Sequence, residues 1–104
     1  MAAACIFVMG LDRATYAAQT RAQQGHINVG SGADISILDL AHRIAAVVGY
    51  RGAIVTDPSK PDGTPRKCMD NTRLARLGWT PRISLQQGLQ DAYRWYLEHP
   101  DPRR

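Results

Sequence analysis

The chain is organised around the stretch Lys60-Pro61-Asp62-Gly63-Thr64-Pro65-Arg66-Lys67. No regular helix or strand can run through it, because its two prolines remove backbone donors and hold the residues before them extended. Its glycine allows a tight turn. We therefore expect a stiffened loop, with the regular elements of the chain on either side of it.

The charges of this loop suit a phosphorylated ligand. Lys60, Arg66 and Lys67 surround the carboxylate of Asp62, a combination that matches a phosphate and a sugar hydroxyl. Most loops rich in proline and glycine only connect elements. The loop by itself therefore leaves both interpretations open.

Composition indicates an ordinary globular protein. The 104 residues suffice for a single modest core, and we predict one domain over 1–104. No apolar run is long enough to cross a bilayer, and the apolar start Met1–Met9 lacks the basic residues of a signal peptide. These features predict a cytoplasmic protein.

The cysteines and histidines form no recognisable motif. Cys5 and Cys68 make no C-x-x-C pair, so we expect free thiols. His26, His42 and His99 have no metal-ligand spacing, which argues against a metal site.

Basic residues are concentrated in and after the loop. The formal charge is +4, and six basic residues but only two acidic ones lie between Lys60 and Arg82. Nucleic acid, a nucleotide phosphate and a solvated basic face are all compatible with this excess. Trp79 is the only aromatic residue in the segment, whereas recognition of single-stranded nucleic acid normally needs several. This composition disfavours nucleic acid as a partner.

The N-terminal quarter predicts helix. Met1–Leu11 is apolar nearly all round, which is typical of a helix buried on more than one side. Residues 12–25 are polar and alanine-rich and predict a frayed helical extension followed by a loop.

The middle of the chain predicts a βαβ unit. His26–Gly30 and Gly52–Asp57 have the composition of short strands. The helix between them has Ser36 as N-cap, Asp39 as its capping-box partner and Gly49 at its C-terminus. Strand, helix and strand in so short a span imply two parallel strands. The predicted fold class is α/β, a small mainly helical domain with this βαβ unit and no Rossmann domain.

Two further helices follow the loop. A short one over Thr72–Leu77 is capped by Asp70 or Asn71, and a longer one over Leu85–Glu98 begins at a capping box. That box consists of Ser84 and Gln87. The predicted buried stripe of the longer helix consists of Leu85, Leu89, Ala92, Tyr93 and Tyr96. Trp95 is expected in the core or an interface.

No catalytic or cofactor motif is complete. Gly30-Ser31-Gly32 resembles the start of a dinucleotide-binding loop, but Ile35 occupies the position of the third glycine. No tyrosine is followed by lysine at the Tyr-x-x-x-Lys spacing of short-chain dehydrogenases. The serines lie in turns or caps, where their hydroxyls have structural partners. Asp57 and Asp62 are expected to stay ionised beside cations, which does not suit a general acid.

These residues together resemble the C-terminal part of the GDP-L-fucose synthases, a family of extended short-chain dehydrogenase/reductases of the NAD-dependent epimerase/dehydratase type. The likeness covers nearly the whole chain, and Lys60–Lys67 is its most specific part. The other matching pieces are Met1–Ala4, His26–Gly32, Ala45–Tyr50, Ser59, Asp70, Thr72–Leu74, Leu77–Trp79, Ile83–Leu85 and Gly88–Leu89.

The resemblance implies that the two domains of the family's enzymes have different roles. The family's N-terminal Rossmann domain binds NADP and carries the catalytic residues, whereas its C-terminal domain holds the GDP-sugar. Asp62 is thereby implied as a nucleotide-sugar contact, with Lys67 as a second; Lys60 and Arg66 are added from charge and proximity. No catalytic residue and no cofactor carries over, so we expect no activity from this chain alone. Cys68, where the family more often has an aliphatic residue, is expected to pack.

Three interpretations follow. The chain is a GDP-sugar-binding module, or a structural, self-associating relic of the enzyme, or one half of a split enzyme completed by a separate Rossmann-domain partner. The apolar first helix predicts a homodimer in each case.

Overall fold

The computed structural model describes residues 1–100 and contains five helices in that range. They are α1 (Ala2–Met9), α2 (Arg13–Gln19), α3 (Ile37–Val48), α4 (Thr72–Arg76) and α5 (Leu85–Glu98). The only β-type pairing among these residues is an isolated antiparallel bridge between Arg21 and Gln24. The mainly helical character that the sequence predicts is confirmed. No helix in the described part of the chain is long and apolar enough to cross a membrane.

The chain divides into two compact units. The first, here called the α1/α2/α4 unit, consists of Met1–Asp34 and Thr64–Pro81; the second, the α3/α5 unit, consists of Ile35–Gly63 and residues 82–100. The prediction of one domain over 1–104 stays a prediction.

Helix α1 lies within the predicted Met1–Leu11 and ends at Gly10, whose backbone N–H donates to the Ile6 carbonyl at 3.0 Å. Ala4 is buried, but Met1, Ile6 and Met9 are 81%, 71% and 85% exposed. The described residues therefore cover only one side of an apolar helix, whereas the sequence predicts burial on more than one.

The predicted frayed extension is a separate helix, α2. Asp12 begins it by accepting a hydrogen bond from the Thr15 N–H at 2.8 Å, while the Thr15 hydroxyl donates to the same carboxylate at 2.7 Å. A capped N-terminus starts a new helix rather than prolonging the previous one. The Tyr16 hydroxyl then donates to the Gly25 carbonyl at 2.6 Å and folds the following loop back onto α2.

The predicted βαβ unit is not present in residues 1–100. His26–Gly30 and Gly52–Asp57 belong to different units. Among the described residues, the only hydrogen bond between backbone groups that involves either segment is a local turn, from the Lys60 N–H to the Asp57 carbonyl. A strand needs a neighbour that supplies backbone donors and acceptors. The strand-like composition of these two segments predicts an extended backbone, but it does not tell whether another segment lies beside them to pair with.

The segment 26–34 is held by hydrogen bonds to side chains, in place of the backbone hydrogen bonds of a sheet. Arg73 donates to the His26 carbonyl at 3.0 Å, and Asn71 donates to the Gly30 carbonyl at 2.7 Å. Asn28 donates to the Asp70 carbonyl at 3.3 Å. These contacts tie residues 26–30 to α4 and to the two residues before it through side chains.

Helix α3 follows its predicted signals closely. The Ser36 hydroxyl accepts from the Asp39 N–H at 3.0 Å, which confirms the predicted N-cap. The Asp39 carboxylate accepts from the Ser36 hydroxyl at 2.7 Å rather than from the Ser36 N–H of a capping box. At the other end Gly49 adopts the left-handed conformation with φ 73°. Only glycine does so at little cost, which explains why the helix stops there.

Helix α5 begins at Ser84, whose hydroxyl accepts from the Gln87 N–H at 3.1 Å. The second half of the predicted capping box is different, because the Gln87 side chain donates to Asp91 one turn along the helix at 2.8 Å. Helices α3 and α5 pack against each other in the α3/α5 unit.

The predicted stripe of α5 is only half-buried. Leu89 and Tyr93 are partly covered, while Leu85 and Tyr96 count among the exposed residues. Trp95 is 61% exposed and stacks on His99 with 4.6 Å between ring centroids, so it is not a core residue of this unit.

Helix α4 supplies the largest fully buried side chain of the described residues, Leu74, which is 1% exposed. Of the two predicted caps, Asp70 is the one used: its carboxylate accepts from the Thr72 N–H at 2.8 Å. Asn71 reaches back to Gly30 instead.

Candidate functional site

The loop Lys60–Lys67 begins from a fixed turn. The Asp57 carboxylate accepts hydrogen bonds from the N–H and the hydroxyl of Ser59, at 3.0 and 2.7 Å. The Lys60 N–H donates to the Asp57 carbonyl at 3.2 Å. Such a turn fixes the backbone in front of the loop through local contacts alone.

Lys60 and Asp62 belong to the α3/α5 unit and are exposed. Within residues 1–100, neither side chain makes a hydrogen bond or an ion pair to protein. Both charges are therefore presented to solvent.

Arg66 and Lys67 belong to the other unit, because the boundary between the units falls between Gly63 and Thr64. The Arg66 Nε donates to the carboxylate of Asp34. Lys67 is exposed, and its ammonium has no protein partner among the described residues. Within the predicted set, Arg66 alone is held in place by another side chain.

The Arg66–Asp34 pair changes the electrostatics of the predicted site. The hydrogen bond from Arg66, assisted by its charge, holds the pKa of Asp34 below the ordinary 3.8, and Asp34 in turn raises the pKa of Arg66. The Arg66 side chain stays 75% exposed, so solvent screens the pair strongly. An anion that approaches Arg66 must compete with Asp34. The sequence reasoning missed Asp34, because 32 residues separate it from Arg66 and no local pattern links them.

The groups considered for catalysis have structural partners. Ser36, Ser59 and Ser84 cap helices or turns, and the Ser31 hydroxyl donates to the Ala33 carbonyl at 2.9 Å. The hydrogen bonds from Ser59 lower the pKa of Asp57, which is the opposite of what a general acid needs. The cause is this local turn rather than the neighbouring cations.

Both cysteines are free and exposed. The expectation that Cys68 packs is wrong: its sulfur is exposed and lies 4.0 Å from the Met69 carbonyl. Among the described residues no cluster of three or more potential metal ligands occurs.

The similarity to known proteins is concentrated in one group of enzymes. No protein-family model matches the chain. The chain is 54% identical over 101 residues to the GDP-L-fucose synthase of Escherichia coli K12, which is 97% of this chain and 32% of that protein. It is 57% identical over 74 residues to a putative GDP-L-fucose synthase 2 of Arabidopsis thaliana, 71% of this chain and 23% of the relative.

The chain belongs to the GDP-L-fucose synthase family. A GDP-L-colitose synthase of Yersinia pseudotuberculosis is also similar, with 40% identity over 72 residues. The chain spans only 32% of the first of these relatives and 23% of the other two. It therefore corresponds to part of a GDP-L-fucose synthase, as the resemblance of its sequence motifs to that family implies.

Proposed function

We propose that this chain is a GDP-sugar-binding module of the GDP-L-fucose synthase type, without catalysis of its own. Asp62 and Lys67 contact the nucleotide-sugar, and Lys60 and Arg66 add positive charge for its phosphates. Identity of 54% over 97% of the chain to a GDP-L-fucose synthase is the observation that carries the proposal.

The exposure of the charged side chains in the loop supports a binding role. Three of the four proposed contacts are solvent-exposed charges without a protein partner in the described part of the chain, and the fourth, Arg66, is oriented by Asp34. Charges that stabilised the fold would be paired or covered. Hydrogen bonds between arginine or lysine and phosphate are charge-assisted and directional, so such a loop can hold a diphosphate without an enclosed cavity.

The absence of catalysis is part of the proposal. The serines have structural partners, and Asp57 has a lowered pKa. In the family, as the resemblance implies, the GDP-sugar lies between two domains. We therefore expect weak binding, with a dissociation constant of about 1 mM. The proposed location is the cytoplasm.

Self-association is the second candidate function, favoured by α1. Its large apolar side chains Met1, Ile6 and Met9 are exposed in the described part of the chain, and such side chains gain free energy when a partner covers them. In this alternative the chain forms a homodimer through α1, and the loop retains its shape without a ligand. The interpretation as half of a split enzyme stays a prediction.

Calorimetric titration tests the binding function. The chain is titrated with GDP, GDP-mannose and GDP-fucose, and with a UDP-sugar as control. We expect saturable heat with the guanine nucleotides that is reduced in Asp62→Ala and Lys67→Ala. Arg43→Ala, an exposed arginine on α3, is the matched control and should bind as the unmodified chain does.

The Asp34→Asn variant tests whether Arg66 contributes to GDP binding. Removing the carboxylate releases Arg66 from its ion pair, so a contact between Arg66 and phosphate should tighten GDP binding. Unchanged affinity in Asp34→Asn would remove Arg66 from the site. Absence of heat with every guanine nucleotide at millimolar concentration would refute the binding function as a whole.

A further inference from the structure

A second basic surface lies in the α1/α2/α4 unit, apart from the four residues of the proposed GDP-sugar contacts. It is a groove of about 490 Å³ between the end of α2, the turn after it and α4. Three arginines line it, Arg21, Arg73 and Arg76, together with the carboxylate of Asp70. We call it the arginine groove. Its volume is in the range of small-molecule sites, which is roughly 300–1,000 Å³.

Each arginine is positioned by ordered backbone. Helix α2 ends at Gln19 because Thr20 is extended, and the Gln24 N–H donates to the Arg21 carbonyl at 2.8 Å, which closes the turn that carries Arg21. Arg73 and Arg76 are three residues apart on α4, so their side chains share one face of the helix.

The arginines keep most of their donors available. Arg73 uses one terminal nitrogen for the His26 carbonyl, and a guanidinium has five N–H groups. The side chains of Arg21 and Arg76 make no hydrogen bond or ion pair within residues 1–100.

The carboxylate of Asp70 is committed to the fold. It accepts hydrogen bonds from the side chain and the backbone of Thr72, which lower its pKa, and Arg76 and Arg73 lower it further. Three guanidinium groups and one carboxylate leave a net charge of two positive in the groove. This charge matches a phosphate dianion.

We propose that the arginine groove binds the phosphate groups of a phosphorylated small molecule, held by Arg21, Arg73 and Arg76. Planar guanidinium groups bind the oxygens of phosphate in bidentate pairs. The net charge of two positive in the groove favours a phosphate dianion over a singly charged carboxylate. Side-chain amides of Gln19 and Gln24 in the lining supply further donors. No aromatic side chain lines the groove, which disfavours single-stranded nucleic acid.

NMR titration of the full chain with inorganic pyrophosphate tests the proposal. Saturable shifts are expected in the arginine side-chain N–H signals and in the backbone amides of residues 19–24 and 70–76. In Arg21→Gln and in Arg76→Gln the affinity should fall about fivefold or more, because each variant removes a charged hydrogen-bond donor. Arg43→Gln on α3 should bind pyrophosphate as the unmodified chain does.

The variants separate this groove from the proposed GDP-sugar contacts. Asp62→Ala and Lys67→Ala should leave the pyrophosphate shifts at residues 70–76 unchanged, so either site can fail without the other. Guanosine, which carries no phosphate, should produce none of these shifts. The proposal is overturned if no shift occurs up to about 10 mM pyrophosphate, if guanosine gives the same shifts, or if the double variant Arg21→Gln/Arg76→Gln keeps its affinity.

Discussion

Arg66, which the sequence places in a candidate ligand site, is paired with another side chain in the structure. The sequence places it in a cationic loop, where it is a candidate for binding phosphate. In the structure it forms an ion pair with Asp34 and thereby ties the loop to the stretch that follows Gly32. The pairing partly neutralises the positive charge of the guanidinium. Exposed pairs of this kind add little to stability, so their main effect is on position.

We predict that the pKa of Asp34 rises towards its ordinary value of 3.8 in Arg66→Gln, because the hydrogen bond and the charge that lower it are removed. NMR titration of the carboxyl carbon measures this. Lys67→Gln is the control, since Lys67 is not among the causes of the shift. An Asp34 pKa that is the same in the unmodified chain and in Arg66→Gln would contradict the pairing.

The sign of the pH dependence follows from the lowered pKa. A carboxyl whose pKa is lower in the folded than in the unfolded state stabilises the fold above its unfolded pKa, near 3.9. That stabilisation is lost as the pH falls below this value through the folded pKa. The loss of stability between neutral and acidic pH should be smaller in Arg66→Gln than in the unmodified chain, because the pKa of Asp34 is then no longer lowered by Arg66.

At the scale of elements, the helix ends follow local chemistry. Ser36 and Ser84 cap α3 and α5 as predicted, because an N-cap contact involves residues only three positions apart. Gly49 ends α3 for an equally local reason. The short segments that resemble strands are different, since their pairing depends on residues far away in the chain.

Replacing Gly49 with alanine should lower the free energy of unfolding by about 1 kcal/mol, because a Cβ strains the left-handed conformation. No atom lies within 4 Å of the added Cβ, so backbone strain is the only cause. Urea denaturation followed by circular dichroism measures the loss.

Gly63→Ala is the matched control for Gly49→Ala. Its Cβ also meets no atom within 4 Å, but its φ lies outside the left-handed region. The free energy of unfolding should stay the same or rise slightly. Equal losses in both variants would show that φ at Gly49 is not responsible.

At the scale of the whole molecule, little apolar surface is buried. Ala4 and Leu74 are the only buried apolar residues in the described part of the chain, and both belong to the α1/α2/α4 unit. Hydrogen bonds from side chains to backbone, such as those from Asn71 and Arg73, hold that unit together alongside its small core. The stability of the molecule therefore depends on few contacts.

Leu74→Ala should lower the free energy of unfolding by about 2–5 kcal/mol, since it leaves a cavity in a site that is 1% exposed. Leu97→Ala, at a position that is 60% exposed on α5, is the control and should change stability by no more than about 0.5 kcal/mol. Urea denaturation distinguishes the two. Equal effects would show that Leu74 does not form the core.

Self-association belongs to the same scale. If α1 mediates a homodimer, sedimentation equilibrium should show a dimer at micromolar concentration for the unmodified chain and a monomer for Ile6→Ser. Val55→Ser is the control, because Val55 is 84% exposed but lies outside α1. A monomeric unmodified chain at micromolar concentration would contradict this prediction.

The sequence alone determined the positions of α1, α3, α4 and α5, the serine caps of α3 and α5, the loop Lys60–Lys67 and the membership in the GDP-L-fucose synthase family. All of these depend on residues that are adjacent or one helical turn apart, or on a run of identical residues. Only the tertiary structure decided that residues 26–34 are bound by side chains, that Arg66 pairs with Asp34, and that three arginines line one groove. Arg66, Asn71 and Arg73 contact partners that lie 32, 41 and 47 positions away in the sequence. Local patterns carry no information about such partners, because the path of the chain between them decides which groups meet.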